Sequence, residues 1–123
     1  MNLLAVDYGT KKIGLAVSVK GIIFTLPQIK NDKTLISNLQ KIIYQHQIKK
    51  IYVGLSEGRF AKETLVFVDH LRSVLSLPVG TVEESVSTIE AEEIFKTNQN
   101  NHQQYDQKID SISAAVILRR VHS

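Results

Sequence analysis

One stretch near the start constrains the fold more than any other: Leu3-Leu4-Ala5-Val6-Asp7-Tyr8-Gly9-Thr10-Lys11-Lys12-Ile13-Gly14-Leu15-Ala16-Val17-Ser18. Leu3 to Val6 is a short unbroken apolar run, the pattern of a strand buried on both faces. Asp7 ends the run, and a carboxylate there is costly to bury unless something pairs with it. Gly9 lets the chain turn, and Ile13 to Val17 supplies a second strand. The turn carries a hydroxyl and two cations, Thr10, Lys11 and Lys12, beside the acid. That set suits a metal ion or a phosphate. An ordinary hairpin in which Asp7 caps the turn has the same pattern.

A chain of 123 residues with 43% hydrophobic content can bury a real core, and a single domain over 1–123 is expected. The absence of cysteine excludes disulfides, a thiolate zinc site and a cysteine nucleophile. No apolar run approaches the ~20 residues that span a bilayer, so no membrane partner is expected. The N-terminus lacks the pattern of a signal peptide, which makes a cytoplasmic location the default. The net charge is +3, unevenly spread. Residues 1–62 hold ten Lys and Arg against three acids, and the remainder holds five against nine. A basic first half suits a phosphate-rich partner; a solvated lysine-rich surface is the plainer account.

Further along, Gly21-Ile22-Ile23-Phe24-Thr25-Leu26 reads as a third strand stopped by Pro27, with Gly21 in a short hairpin turn. Asn31 or Asp32 is placed to cap a helix from about Lys33 to Gln47. Its apolar stripe is Leu35, Ile36, Leu39, Ile42 and Ile43. Ile51 to Leu55 is a buried strand. A second helix, from about Phe60 to Val74, has Ala61, Leu65, Val68, Leu71 and the following Leu75 on one face. Pro78 to Val82 makes a fifth strand that ends at Glu83 and Glu84. Ser87-Thr88-Ile89-Glu90 has the capping-box pattern and starts a short helix through Phe95. Thr97 to Gln107 is polar and aperiodic, a loop. A last helix runs from about Gln107 to Arg120, with Ile109, Ile112, Val116 and Leu118 among its apolar positions.

Three antiparallel strands followed by strand–helix alternation predict an α/β fold. Right-handed crossovers place the later strands parallel to the first, with helices on both faces. Sites in such sheets gather at the carboxyl ends of strands. Asp7, Glu57 and the pair Glu83 and Glu84 all fall at or just past predicted strand ends.

The segment from Asp7 to Ser18 resembles the opening of the YqgF/RuvX family of Holliday-junction resolvases, whose fold is RNase H-like. Val53-Gly54-Leu55 is similar to that family's fourth strand. Glu83-Glu84-Ser85-Val86-Ser87-Thr88-Ile89-Glu90-Ala91-Glu92 resembles its Asp-Glu-Arg-Leu-Ser-Thr-x-Glu-Ala motif, and Asp110-Ser111-Ile112-Ser113-Ala114-Ala115 its final Asp-x-x-Ala-Ala helix. The matches come in order and cover nearly the whole chain. Four departures stand out. Glu83 replaces Asp, Ser85 replaces Arg, Ser56 replaces a Pro, and Val19 stands where an acid often follows Ala-Val-Ser. Loss of the Arg removes a bidentate phosphate or carboxylate partner.

The resemblance implies a five-stranded RNase H-like nuclease that hydrolyses phosphodiester bonds with Mg²⁺ or Mn²⁺. It implies Asp7, Glu84 and Asp110 as the metal-binding catalytic acids, with Glu83 as support; Glu57 is held in reserve because it also follows a strand end. Thr10, Lys11 and Lys12 would contact backbone phosphates. The implied substrates are junction DNA or the 5′ end of precursor 16S rRNA, and the protein would act as a monomer or homodimer. Each residue has a plainer role. Asp110 near a helix start favours the helix dipole, Glu83 and Glu84 suit a solvated loop, and Ser87 is a helix cap. Two rival functions remain at this stage. One is a non-catalytic nucleic-acid-binding module of the same fold. The other is an ATP-binding domain of the sugar-kinase/actin type, suggested by Asp-x-Gly-Thr followed by Gly.

Overall fold

A computed structural model describes residues 1–55, 61–83 and 105–122, with the side chains of the last helix described from 112 to 121. Five strands form one mixed sheet: β1 (Asn2–Asp7), β2 (Lys12–Val19), β3 (Ile22–Lys30), β4 (Ile48–Leu55) and β5 (Val79–Glu83). Three helices accompany it: α1 (Leu35–His46), α2 (Ala61–Val74) and α3 (Tyr105–His122). The strand order is β3-β2-β1-β4-β5. β1 pairs antiparallel with β2 and parallel with β4, and β5 is parallel to β4.

β1 is central, and its side chains supply two cores. Leu4 and Val6 join Ile13, Leu15 and Val17 under α1 and α2, where Leu35, Leu39, Phe67, Val68 and Leu71 meet them. Leu3, Ala5 and Ala16 point to the other face and meet Ile112 and the run Ala114 to Leu118 of α3. Alanines on both surfaces let that helix lie close to the sheet. The alternation of Cβ directions therefore divides one apolar run between two layers. Helices cover both faces, as the sequence predicts.

Several boundaries differ from expectation for identifiable reasons. β3 runs through Pro27 instead of ending there. The pairing steps from Leu15↔Leu26 to Ile13↔Ile29, so Pro27 and Gln28 together oppose Gly14. A bulge on an edge strand has no ladder bond for the missing proline N–H to break. The turn before β3 spans Lys20 and Gly21, at φ of 53° and 82°, and joins the pair Val19↔Ile22. Two positive φ values in a two-residue loop suit a tight hairpin.

α1 begins at Leu35 behind Thr34, not at Lys33 behind Asn31 or Asp32. Of the two predicted caps Asn31 is engaged elsewhere, while Asp32 makes a cap-type bond on the turn that leads into the helix, its carbonyl also accepting from the Leu35 N–H at 3.1 Å. Asn31 bonds Gly9, and the Asp32 carboxylate accepts from the Thr34 backbone N–H at 2.8 Å and from its hydroxyl. On α2 the buried residues are Thr64, Phe67, Val68 and Leu71, while Leu65 is exposed. The inward face is thus rotated from the expected stripe. α3 starts at Tyr105, inside the segment read as loop. The expected helix from Ser87 to Phe95 lies outside the described residues.

Candidate active site

The carboxylate predicted to matter most sits at the carboxyl end of the central strand. Asp7 is half-buried and pairs with Gly14 of β2. Continuing the Val6↔Val53 register of β1 and β4 by one residue sets Gly54 on its other side. Glycines flank it laterally, so neither neighbouring strand places a side chain beside the carboxylate. Alternation along β1 puts Asp7 with Leu3 and Ala5, on the α3 face. A carboxylate is a hard oxygen donor, the chemistry that fits Mg²⁺ or Mn²⁺.

The turn after Asp7 has a built shape. Asn31, just past β3, donates from its side-chain amide to the Gly9 carbonyl at 2.7 Å. Its backbone N–H donates to the Lys11 carbonyl at 2.9 Å. A Cβ on Gly9 would collide with the Lys12 carbonyl oxygen, so the turn closes only over glycine there. Thr10, Lys11 and Lys12 are left exposed. Lys12 shares a face with Gly14 and Asp7 by alternation, and Lys30 stands directly opposite it on β3. Like charges in direct cross-strand register repel. A phosphate between or above them would convert that repulsion into attraction.

Lys30 and Asn31 are brought to this candidate site by the structure, and the sequence reading did not place them there. Counting from the two-residue turn at Lys20 and Gly21 would set Ile29 opposite Lys12; the bulge at Pro27 shifts the pairing by one and brings Lys30 there. A strand that ends at Pro27 does not reach Lys12 at all. Asp32 follows directly, and its carboxyl is held below the usual carboxylate range. The Thr34 hydroxyl is the largest cause, then the Thr34 backbone N–H, with Lys30 adding a smaller pull.

The other predicted acids separate. Glu83 ends β5 in register with Leu55, one step past the Gly54↔Val82 pair. Val82 packs in the α3-side core, so the Glu83 side chain projects to the face opposite Asp7. Its backbone carbonyl accepts from Arg120 at 3.0 Å. The backbone at Asp110 belongs to α3, the helix over the Asp7 face, and its side chain lies outside the described residues. Glu84 and Glu57 lie outside them altogether. Among the described residues no three His, Asp or Glu side chains converge. None of the described helices is long and apolar enough to cross a membrane.

Among the described residues a concavity opens on the opposite face, between α1 and α2. It is lined by Tyr8, Lys33, Ile36, Lys62, Val66 and Phe67, among others, and Asp7 takes no part in it.

Comparison with known proteins bears on this geometry. The family model described as RuvX, Holliday junction resolvase, matches residues 1–121. A Sulfurovum protein named "Putative pre-16S rRNA nuclease" is 35% identical over 127 residues, covering 98% of this chain and 97% of its own. A Rickettsia typhi protein of the same name is 30% identical over 129 residues, 97% of this chain and 83% of its own. Among solved structures, T. thermophilus RuvC in complex with a Holliday junction substrate superposes with a TM-score of 0.65 at 13% identity. It covers 100% of this chain and 97% of that one. The Fowlpox virus resolvase bound to Holliday junction DNA gives a TM-score of 0.60 at 11% identity, with 99% of both chains covered. At such identities these two structures speak to the fold, which is the RNase H-like one.

Proposed function

Because this chain belongs to the RuvX family of Holliday junction resolvases and is a nuclease, we propose that it cleaves phosphodiester bonds in structured nucleic acid using a divalent cation held at Asp7. The observation that carries the reading is the setting of Asp7. It is a carboxylate at the end of the central strand, flanked by glycines, on the face that also carries the opposed Lys12 and Lys30.

Asp7, Glu84 and Asp110 are the proposed metal ligands. Glu83 projects to the other face, which favours Glu84 of the adjacent pair. A bound Mg²⁺ or Mn²⁺ would supply Lewis-acid polarisation of the scissile phosphate and a nucleophilic water at neutral pH. The chain's own residues bind and orient. Lys12 and Lys30 hold backbone phosphates over the Asp7 face, and Lys11 and the Thr10 hydroxyl add contacts from the turn. Asn31 and Gly9 keep the backbone of that turn in one shape, so the points from which the lysine side chains extend are fixed before the strand arrives. None of these contacts reads a base, so selection among substrates rests on nucleic-acid shape. A homodimer suits symmetric cutting of a four-way junction; a monomer suits trimming one end of precursor 16S rRNA.

The test is cleavage by pure protein with Mg²⁺ or Mn²⁺, on four-way junction DNA, matched duplex DNA and an RNA carrying the precursor 5′ end of 16S rRNA. The expected result is metal-dependent cutting of the junction or the RNA, stopped by chelation, with the duplex spared. Binding to these substrates without cutting under either metal would favour the non-catalytic module.

A further inference from the structure

The cleft on the face away from Asp7 has a volume of about 590 Å³, within the roughly 300–1,000 Å³ of small-molecule sites. Part of its lining is apolar. The Tyr8 ring stacks on Phe67 with centroids 4.3 Å apart and planes at 29°, and Ile36 and Val66 extend this apolar wall. Val66 is 64% exposed, a branched apolar side chain left open at the mouth. Lys33 before α1 and Lys62 at the start of α2 bring two cations to the lining, with His70 beyond them. Two acids also line the cleft, Asp32 and Glu63. Asp32 stays charged while it accepts from the Thr34 N–H and hydroxyl. The lining therefore carries two lysines against two carboxylates, and it would hold a phosphate by direct contact with the lysines, not by a net positive field.

An inorganic anion would use the lysines and ignore the ring wall. An apolar ligand would use the wall and strand the lysines. A nucleotide uses both, its base against the apolar wall and its phosphate at the ammonium groups. The position adds a further reason. Tyr8 directly follows Asp7 in the chain and projects to the opposite face, so cleft and carboxylate lie on two sides of one strand end. A nucleic-acid strand bound across that end presents a backbone phosphate to Asp7 and has a neighbouring base within reach of Tyr8.

We propose that this cleft binds one nucleotide unit of the substrate strand, an unstacked base with its phosphate. The identity of the occupant rests on the nuclease reading; the capacity to bind a nucleotide does not. Holding one base out of its stack would favour junctions and single-stranded ends over regular duplex, since their bases cost less to unstack.

The test begins without metal. A 2-aminopurine nucleoside 5′-monophosphate is titrated in chelator and followed by fluorescence, which a chain with no tryptophan leaves clear. Saturable binding is expected. Val66→Asp changes an exposed position, keeps the circular dichroism of the fold, and should weaken binding about tenfold or more through the lost apolar wall. Lys33→Ala combined with Lys62→Ala should weaken the monophosphate and leave the free nucleoside unaffected. Asp7→Asn should leave this titration unchanged, so failure of the nuclease reading appears in the cleavage assay and failure of the cleft appears here. A second arm places 2-aminopurine beside the cleavage point in junction DNA. Displacement of its signal by adenosine monophosphate supports a substrate base as occupant. Mononucleotide binding with no such displacement overturns the substrate source and assigns the cleft to a free nucleotide. No saturable binding, or binding indifferent to both sets of substitutions, overturns the proposal.

Discussion

Asp7 stands between Gly14 and Gly54, and that setting gives its replacement a defined consequence. Asparagine keeps the size and can still accept a hydrogen bond, but it lacks the charge that a hard cation requires. Asp7→Asn is expected to lower metal-dependent cleavage by about a hundredfold or more, above the ~10–100-fold typical of groups that only support ligands. The far-ultraviolet circular dichroism should not change. Near-normal cutting by the folded variant would remove Asp7 from the site. The adjacent glutamates are distinguished by the sheet register. Glu83 is exposed and projects away from the Asp7 face, so Glu83→Gln should leave Mn²⁺ affinity by calorimetry within about twofold, as expected of a surface substitution. Glu84→Gln should abolish it. The reverse result would mean that the β5 pairing near its end is not the one described.

The hairpin of β1 and β2 depends on a residue outside itself. Asn31 makes two bonds to its turn, one through the side chain to Gly9 and one through the backbone to Lys11. Asn31→Ala removes the first and leaves a partly buried carbonyl unpaired, a loss of about 1 kcal/mol. That should read as a fall of roughly 3–6 °C in Tm. Asn31→Asp should be no better at neutral pH, because a carboxylate would then face the Gly9 carbonyl. Both variants should raise KM more than they lower kcat if the turn makes the phosphate contacts proposed for it. Equal Tm values for all three proteins would show that the turn holds itself. The next element has its own pH signature. The Asp32 carboxyl is lowered in the folded chain by Thr34, so its contribution is present above the ordinary value of 3.8 and fades as pH falls through the lower folded value. Asp32→Ala should therefore melt earlier than the parent at pH 7, and the gap should narrow below pH 3.8.

At the scale of the whole molecule, the modest net charge matters less than where the cations sit. Lys11, Lys12 and Lys30 meet at the Asp7 end of the sheet, whereas Lys49 and Lys50 lie toward the opposite end of β4, where Lys50 sits 4.7 Å from the Tyr52 ring centroid. Lys12→Ala with Lys30→Ala should flatten the slope of log affinity against log salt by about two units, roughly one per phosphate contact. Lys49→Ala should leave it unchanged. Equal slopes in all three would mean that nucleic acid docks elsewhere. Much of this architecture was legible in the residues alone. The unbroken run Leu3 to Val6 specified a strand buried on both faces, because no other short element hides every side chain. The helical stripe of α1 and the acid closing β1 were equally local. Tertiary structure decided what depends on pairing across the chain. Pro27 sits harmlessly in a strand because β3 is an edge and bulges there, which nothing in its neighbours announces. Asn31 serves the turn at Gly9 instead of capping α1, because folding brings a distant carbonyl within 2.7 Å. Lys30 meets Lys12, and Glu83 turns from Asp7, through register, and a slip of one residue reverses the face of every side chain in a strand. Periodicity determined which elements form, since it depends on neighbours a few residues apart. Which side chains share a site was set by hydrogen bonds between strands whose register the sequence reading did not resolve.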